Sequence, residues 1–306
     1  MVMLHDSDVL TKEVLDWRGL HLFHFQGSSC SQKVRIFLRL KGIDWTSHHI
    51  SLAKGEHVTP WYMGINPRGL VPALVHDGKV IVESNDILEY LEEAFPEPVL
   101  IPADRKEEMH RLLREEDNLH LDIRALTMRF VVPSFLAKKP ESEIRKYEGL
   151  GSGSVQGAVD PDKAREAEFW REMIRNNGVS DERARLAFDR FRCVLEQFDG
   201  RLEGQYFLLG NQLTLLDIAW YIYVRRLCEA SYPLHHLHPR MGEWFDALDA
   251  RKDLSGEVRW PRGVGLITKL LHAVQRLRGT DLVQVVGLDR ASDYRSRMGN
   301  LPGATQ

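Results

Sequence analysis

The hydrophobic pattern of this chain changes character once, between Pro96 and Asp104, and that change constrains the fold more than any other feature. Before it, short apolar runs alternate with amphipathic stretches; after it, only helical spacing is left. Residues 20–25 (LHLFHF) read as a strand and Gly27-Ser28-Ser29 as a turn. Val34, Phe37 and Leu38 stand at i, i+3 and i+4 of a helix that ends at Gly42. Residues 46–52 suit a second strand. AlaLeuVal (73–75) and ValIleVal (80–82) flank His76-Asp77-Gly78, a hairpin signal. A helix then starts at Ser84, with Ile87, Leu88 and Leu91 on one face, and is stopped by Pro96. The order β-α-β, then β-β-α, predicts a small α/β sandwich with one parallel and one antiparallel half.

Beyond Asp104 the spacing predicts a helix over 105–125 and another over 183–203, where Ala187, Phe191, Val194, Leu195, Phe198 and Leu202 recur every three or four residues. Further helices are expected over 212–230 and 239–250. The fold class is therefore α/β plus all-α, a sheet domain followed by an all-helical one. The expected division is 1–18 as a polar N-terminal extension, 19–99 as the sheet domain and 104–255 as the helical domain. The glycine-rich EGLGSGSVQG (148–157) reads as part of a flexible insertion around 140–180. Residues 256–306 complete the chain with an amphipathic helix (264–278) and a tail that reads as disordered from about 288. Five Lys/Arg and no acid lie between Arg259 and Arg278. The helix is expected to dock on the body, contact with a membrane surface being the alternative.

Charge and cysteine usage exclude several classes. With 306 residues, 43% apolar and 28% charged, the chain is able to bury a core. Lys+Arg is 41 against 44 Asp+Glu, which argues against a general nucleic-acid binder. Cys30, Cys193 and Cys228 are too sparse for a disulfide scaffold or a zinc site, so a reducing, cytoplasmic setting is expected. No signal peptide is expected at the start, and no apolar run approaches the ~20 residues of a membrane span. His235, His236 and His238 lie between two prolines, which predicts a loop, and no further ligands accompany them, so no metal is expected. Cys193 and Cys228 are expected as packed thiols. Trp220, Tyr221 and Tyr223 are expected in the core, with a second-substrate pocket as the alternative for one of them.

Four local features bear on chemistry. Gly27-Ser28-Ser29-Cys30-Ser31 places hydroxyls and a thiol at a helix start, where free N–H groups and the dipole favour an anion; a serine there also serves as a plain cap. Asn66-Pro67-Arg68-Gly69-Leu70-Val71-Pro72 enters a strand through a proline, which leaves a ladder donor missing. Glu83-Ser84 opens a helix whose N–H groups suit a carboxylate, with Ser84 as its candidate cap. Thr214 and Asp217 have capping-box spacing and are expected as a folding element.

Together these segments carry a resemblance. The string SSCSQKVR…EHVTPWYMGINPRGLVPALVHDGKVIVESNDILEYLEEAFPEP resembles the thioredoxin-like half of the cytosolic glutathione transferases, and GNQLTLLDIAWY resembles the capping-box helix of their helical half. SSCS is similar to the zeta-class catalytic segment. The 56–96 stretch is similar to bacterial β-aryl-ether cleaving members, and the SSCSQKVR (28–35) and EHVTPW (56–61) segments to the ganglioside-induced differentiation-associated proteins. The resemblance implies glutathione as cosubstrate and Ser28 as the thiolate-activating hydroxyl, with Ser29 and Cys30 beside the sulfur. It also implies a cis Val71-Pro72 bond, Val71 paired with the cysteinyl backbone, Glu83 and Ser84 at the γ-glutamyl end, and Lys54 or His57 at the glycyl carboxylate. The expected partners are a small apolar or aromatic electrophile and a second copy of the chain. β-Aryl ether cleavage is the expected reaction, a maleylacetoacetate-type isomerase or a dehalogenase being alternatives. A non-catalytic binding module of the same fold is the alternative of another class.

Overall fold

The computed structural model describes residues 1–133, 139–259 and 264–288. Its first part is a four-stranded sheet of β1 (Leu20–His24), β2 (Thr46–His49), β3 (Ala73–His76) and β4 (Lys79–Val82). The order is β2-β1-β3-β4, with β1 parallel to β2 and antiparallel to β3, and β3 antiparallel to β4. Helix α1 (Ser29–Lys41) makes the β1–β2 crossover and ends at Gly42, whose φ of 64° is left-handed and costs glycine little. A short α2 (Pro60–Met63) precedes β3, and α3 (Ser84–Ala94) follows β4.

Strand alternation splits the core in two. Leu20, Leu22, Leu74 and Ile81 face α1 and α3, where they meet Val34, Phe37, Ile87, Leu88 and Leu91. Phe23, Ala73, Val75, Val80 and Val82 face the other way, onto Val9, Val14, Tyr62 and Ile65. The N-terminal lead therefore packs on the sheet. Met3 bridges Ile81, and Leu4 and Val82 exchange backbone bonds with Val80 and Val2 along the β4 edge. Its apolar residues are spaced irregularly among acids, which hid this role in the sequence.

The helical part begins with α4 (Lys106–Asn118) and α5 (His120–Phe130). The single helix expected over 105–125 is broken at Leu119, whose ψ of 2° departs from helical values. Then come α6 (Glu141–Glu148), a hairpin of β5 (Ser154–Val155) and β6 (Ala158–Val159), and α7 (Pro161–Arg175). Helices and a hairpin thus run through the segment expected as a flexible insertion, and strand pairing recurs after Asp104. Glycines 151, 153 and 157 take φ near 74°, tightening the hairpin, and Ser154 Oγ and the Gly157 N–H donate to Asp8 of the lead. A Cβ on Gly151 would stand 2.9 Å from the Met63 carbonyl, so glycine permits the close approach.

Helices α8 (Asp181–Arg201), α9 (Leu215–Glu229), α10 (Leu234–Leu237), α11 (Pro239–Asp249) and α12 (Lys252–Val258) form the rest of the bundle, followed by α13 (Val264–Arg278) and α14 (Leu282–Val285). α9 carries Trp220, Tyr221 and Tyr223 fully inside. Its start is the capping box: Thr214 N–H and hydroxyl donate to Asp217, which also accepts from Leu208 N–H and Trp244 Nε1. α13 meets α5 through His272 Nε2 and the Phe130 carbonyl, 3.1 Å apart. The tail from 289 lies outside the described residues.

Two expectations fail here. The histidine segment forms the short α10, with His235 paired to Asp246 and His238 buried on the Tyr232 hydroxyl. Cys193 is exposed, because it lies off the Phe191–Leu195–Phe198 stripe of α8; Cys228 does pack against the core, and burial pushes its thiol up to about 12. Among the described residues no helix is long and apolar enough to cross a membrane.

Candidate active site

The first turns of α1 and α3 meet at one end of the sheet. Ser28 caps α1: its Oγ accepts the Ser31 N–H at 3.3 Å and donates to the Val71 carbonyl at 3.4 Å. The Val71-Pro72 bond is cis. Ser28, Ser29 and Cys30 are all half-buried. Burial raises the Cys30 thiol above its ordinary value against the pull of the Lys33 ammonium, so at neutral pH it is a thiol and not a nucleophilic thiolate.

The cap of α3 is Glu83, not Ser84. Glu83 has φ 68°, an uncommon backbone for a side-chain-bearing residue, and makes no side-chain cap bond. Its carboxylate is turned to Arg68 instead. Arg68 also forks onto Asp160 at 2.8 and 2.9 Å and meets Asp162 at 3.0 Å. Ser84 is the first helical residue and is buried.

Across from these groups, α5 supplies His120 and Arg124. Arg124 donates to His120 Nε2 at 2.9 Å, so the ring proton belongs on Nδ1. That N–H points to the Tyr223 hydroxyl (3.3 Å) and Cys30 Sγ (3.8 Å). Burial, then the Arg124 charge, lowers His120 to about 4 and keeps it neutral. Arg124 in turn pairs with Glu166 of α7, which accepts from Trp170 Nε1. One turn along α1, Lys33 Nζ lies 2.9 Å from Glu116 and 2.7 Å from Asn85 Oδ1. Asn85 also donates to Asp117, whose carboxyl is pushed up to about 6, chiefly by burial.

A cavity of about 280 Å³ adjoins this cleft on the far side of Leu70. Lys54 and His57 line it together with Gly69, Lys139, Lys146, Glu166 and Trp170. Lys54 is exposed. His57 is buried and lowered to about 4 by burial and by Lys139.

The structure bonds Ser28 to the Val71 carbonyl, keeps Ser29 and Cys30 in the same turn, puts Glu83 and Ser84 at the start of α3, and sets Lys54 and His57 at the cavity. Sequence reasoning missed Lys33, Arg68, Glu116, His120, Arg124 and Lys139. A signal existed for two of them: Leu112, Leu113, Glu116 and His120 share one helical stripe, so a carboxylate and an imidazole had to enter the core. Among the described residues no cluster of three or more His, Cys, Asp and Glu is arranged to hold a metal ion.

Residues 27–94 match the family model for the glutathione S-transferase N-terminal domain, and residues 166–247 that for the C-terminal domain. A zeta-class glutathione S-transferase of Euphorbia esula is 51% identical over 85 residues, 28% of this chain and 38% of that protein. The chain thus spans less than half the length of the first curated relatives that it matches. Protein LigF of a Sphingobium strain is 27% identical over 242 residues, 76% of this chain and 90% of that protein. The crystal structure of β-etherase LigF superimposes with TM-score 0.65 at 26% identity, covering 78% of this chain and 98% of that one. The α4–α6 stretch and the β5–β6 hairpin lie outside both matched segments.

Proposed function

We propose that this chain, a member of the glutathione S-transferase superfamily by both of its domains, binds glutathione at the α1–α3 junction and uses its thiolate to attack an apolar or aromatic electrophile held against α5 and α9. The observation that carries the reading is that the N-terminal turns of α1 and α3 pack together, Lys33 Nζ standing 2.7 Å from Asn85 Oδ1, with Ser28 capping the first. Each N-terminus favours negative charge, one for a thiolate and one for a carboxylate. In this reading Ser28 is the donor to the sulfur, with Ser29 and Cys30 as its neighbours. Val71, beside Pro72, pairs with the cysteinyl backbone. Glu83, held by Arg68, takes the γ-glutamyl amine, and Ser84 its carboxylate. Lys54 and His57 stand at the glycine end.

For the electrophile we favour a β-aryl ether. The thiolate forms a C–S bond at the ether-bearing carbon, the C–O bond breaks, and the phenolate leaves and takes a proton from water. The likeness to LigF covers 76% of this chain, which supports a helical domain that receives the electrophile in this reading. An isomerase of the maleylacetoacetate type has the higher identity behind it, but only over 88 residues, 28% of this chain. A cytoplasmic homodimer completes the proposal; light scattering at monomer mass at micromolar concentration would remove the dimer.

The test is retention on immobilised glutathione with elution by free glutathione, followed by release of a chromogenic phenol from a β-aryl ether. Retention with phenol release supports the proposal. Retention with isomerisation of a maleyl substrate and no phenol release moves the chain to the second reading. Retention without turnover of either leaves a binding module, and no retention ends the glutathione reading.

A further inference from the structure

Helix α13 turns an apolar side away from the protein. Its bonds to the body run through His272, whose Nε2 lies 3.1 Å from the Phe130 carbonyl, and Gln275, whose amide donates to the Arg129 carbonyl at 3.4 Å. Leu270 and Leu277 each stand two residues from one of these, about 200° round the helix at 3.6 residues per turn. They are 66% and 89% exposed, and Ile267, 56% exposed, extends the same ridge by another turn. The spacing 267, 270, 274, 277 is that of an amphipathic stripe, here pointed at solvent. Single apolar side chains on a surface are ordinary, but an aligned row of them marks a contact face. Exposed cations border the row on both sides. Lys269 and Arg276 precede the two leucines by one residue and lie on one flank; Arg278 follows Leu277 and lies on the other. Among the described residues no carboxylate pairs with any of the three. From Arg259 to Arg278 there are five Lys/Arg and no acid, on a chain whose net charge is −3.

We infer that α13 is an interfacial helix that seats this protein on an anionic lipid surface: Ile267, Leu270 and Leu277 enter the headgroup–acyl boundary, and Lys269, Arg276 and Arg278 meet the lipid phosphates and carboxylates. One helix offers a ridge and not a groove, so it suits a deformable apolar layer better than a peptide that needs walls around it. The flanking cations add attraction to a negative surface, and their apolar stems let them stay at headgroup level while the ridge inserts. Apolar insertion and charge are each modest alone, and here they act on the same face. The helix has 15 residues and lies along such a surface; among the described residues none is long and apolar enough to cross it. This face is distinct from the candidate active site. α13 bonds to Phe130, the last residue of α5, whereas His120 is the first, about 15 Å back along the axis. Lipid binding therefore stands apart from glutathione binding, and either holds if the other fails.

The test is co-flotation of the full chain with vesicles of phosphatidylcholine alone and of phosphatidylcholine mixed with phosphatidylserine. Wild type is expected to partition onto the mixed vesicles ~100-fold more strongly, three cations contributing ~5-fold each, and to lose that preference as salt is raised. Leu270→Glu with Leu277→Glu is expected to weaken binding to the mixed vesicles at least ~10-fold, and Leu270→Phe with Leu277→Phe to keep it. Lys269→Gln with Arg276→Gln is expected to weaken binding to the mixed vesicles ~25-fold and to leave the neutral ones as they were. All four positions are exposed, so the variants are expected to unfold at the wild-type temperature, which a melting curve checks. Three results overturn the inference: no flotation with either vesicle, equal flotation with both, or a glutamate pair that floats as wild type does. Wild type that ignores both vesicles but forms a dimer broken by the glutamates gives the ridge to a second copy instead. Capture of an acidic protein without flotation gives it to a protein partner and overturns the lipid assignment too. The comparison of lipids and salt on wild type needs no variant to fold.

Discussion

The Lys33 ammonium stands 2.9 Å from the Glu116 carboxylate with 2% and 0% of the two side chains exposed, so a sealed ion pair ties α1 of the sheet domain to α4 of the helical one. Asn85 completes the cluster from α3. Neither charge has water to fall back on, and the two partners depend on each other.

Removing one charge is therefore costly. Lys33→Met or Glu116→Gln is expected to lower unfolding stability by about 3–5 kcal/mol, because each strands a buried group. The pair Lys33→Met with Glu116→Gln is expected to cost less than the sum of the singles. Urea denaturation of the three variants decides this, and a single variant as stable as wild type contradicts it.

Ser28→Ala separates capping from catalysis. Loss of the bond to Ser31 N–H is expected to cost ~1 kcal/mol of stability. Loss of the donor to a thiolate is expected to cost ~10²–10³-fold in turnover and to raise the pKa of the bound thiol. Thiolate absorbance against pH in Ser28→Ala, Ser29→Ala and Cys30→Ala is the measurement. A shift in the second or third variant alone would move the role along α1.

At the other helix start, Glu83→Ala combined with Ser84→Ala is expected to weaken glutathione binding at least ~100-fold, two charge-assisted contacts being lost. Arg68→Met should reproduce part of the loss, since Arg68 orients Glu83. Calorimetry with unchanged affinity in the double variant would place the γ-glutamyl end elsewhere.

His120 gives a pH signature. Its value is depressed to about 4 from an ordinary 6.5, so between those values the unfolded chain binds the extra proton and stability falls as pH falls. One such group contributes a slope of up to ~1.4 kcal/mol per pH unit. His24 and His57, also near 4, act in the same direction. Asp117, raised to about 6, acts oppositely between 3.8 and 6. The difference in slope between wild type and His120→Gln between pH 5 and 6.5 isolates the imidazole, and equal slopes would mean that it is charged in the folded state.

Local signals carried several element boundaries in both domains. The αL stop at Gly42, the Asp77-Gly78 turn and the Thr214–Asp217 box are each encoded within a few residues, and each is found where the pattern puts it. The hairpin in the glycine-rich 148–157 segment was hidden for the opposite reason: its contacts are with Asp8 and Met63, distant in sequence, which no local composition encodes. The same holds for the cleft: Lys139 meets His57 across 82 positions, and His120 meets Cys30 across 90. Residue types at a site were legible, but their partners were set by the packing of the two domains.

The lead along β4 has a consequence for how copies of this protein behave toward one another. A strand at the rim of a sheet is a template for another chain, and here Val2–Leu4 occupies that rim on the β4 side. The opposite rim, β2, reads Thr-Ser-His-His and is polar and mostly solvent-facing, a poor invitation to stacking. Trimming the chain before Asp6 would bare the apolar β4 edge, so these first residues act as a guard against intermolecular zippering as well as a patch on the core.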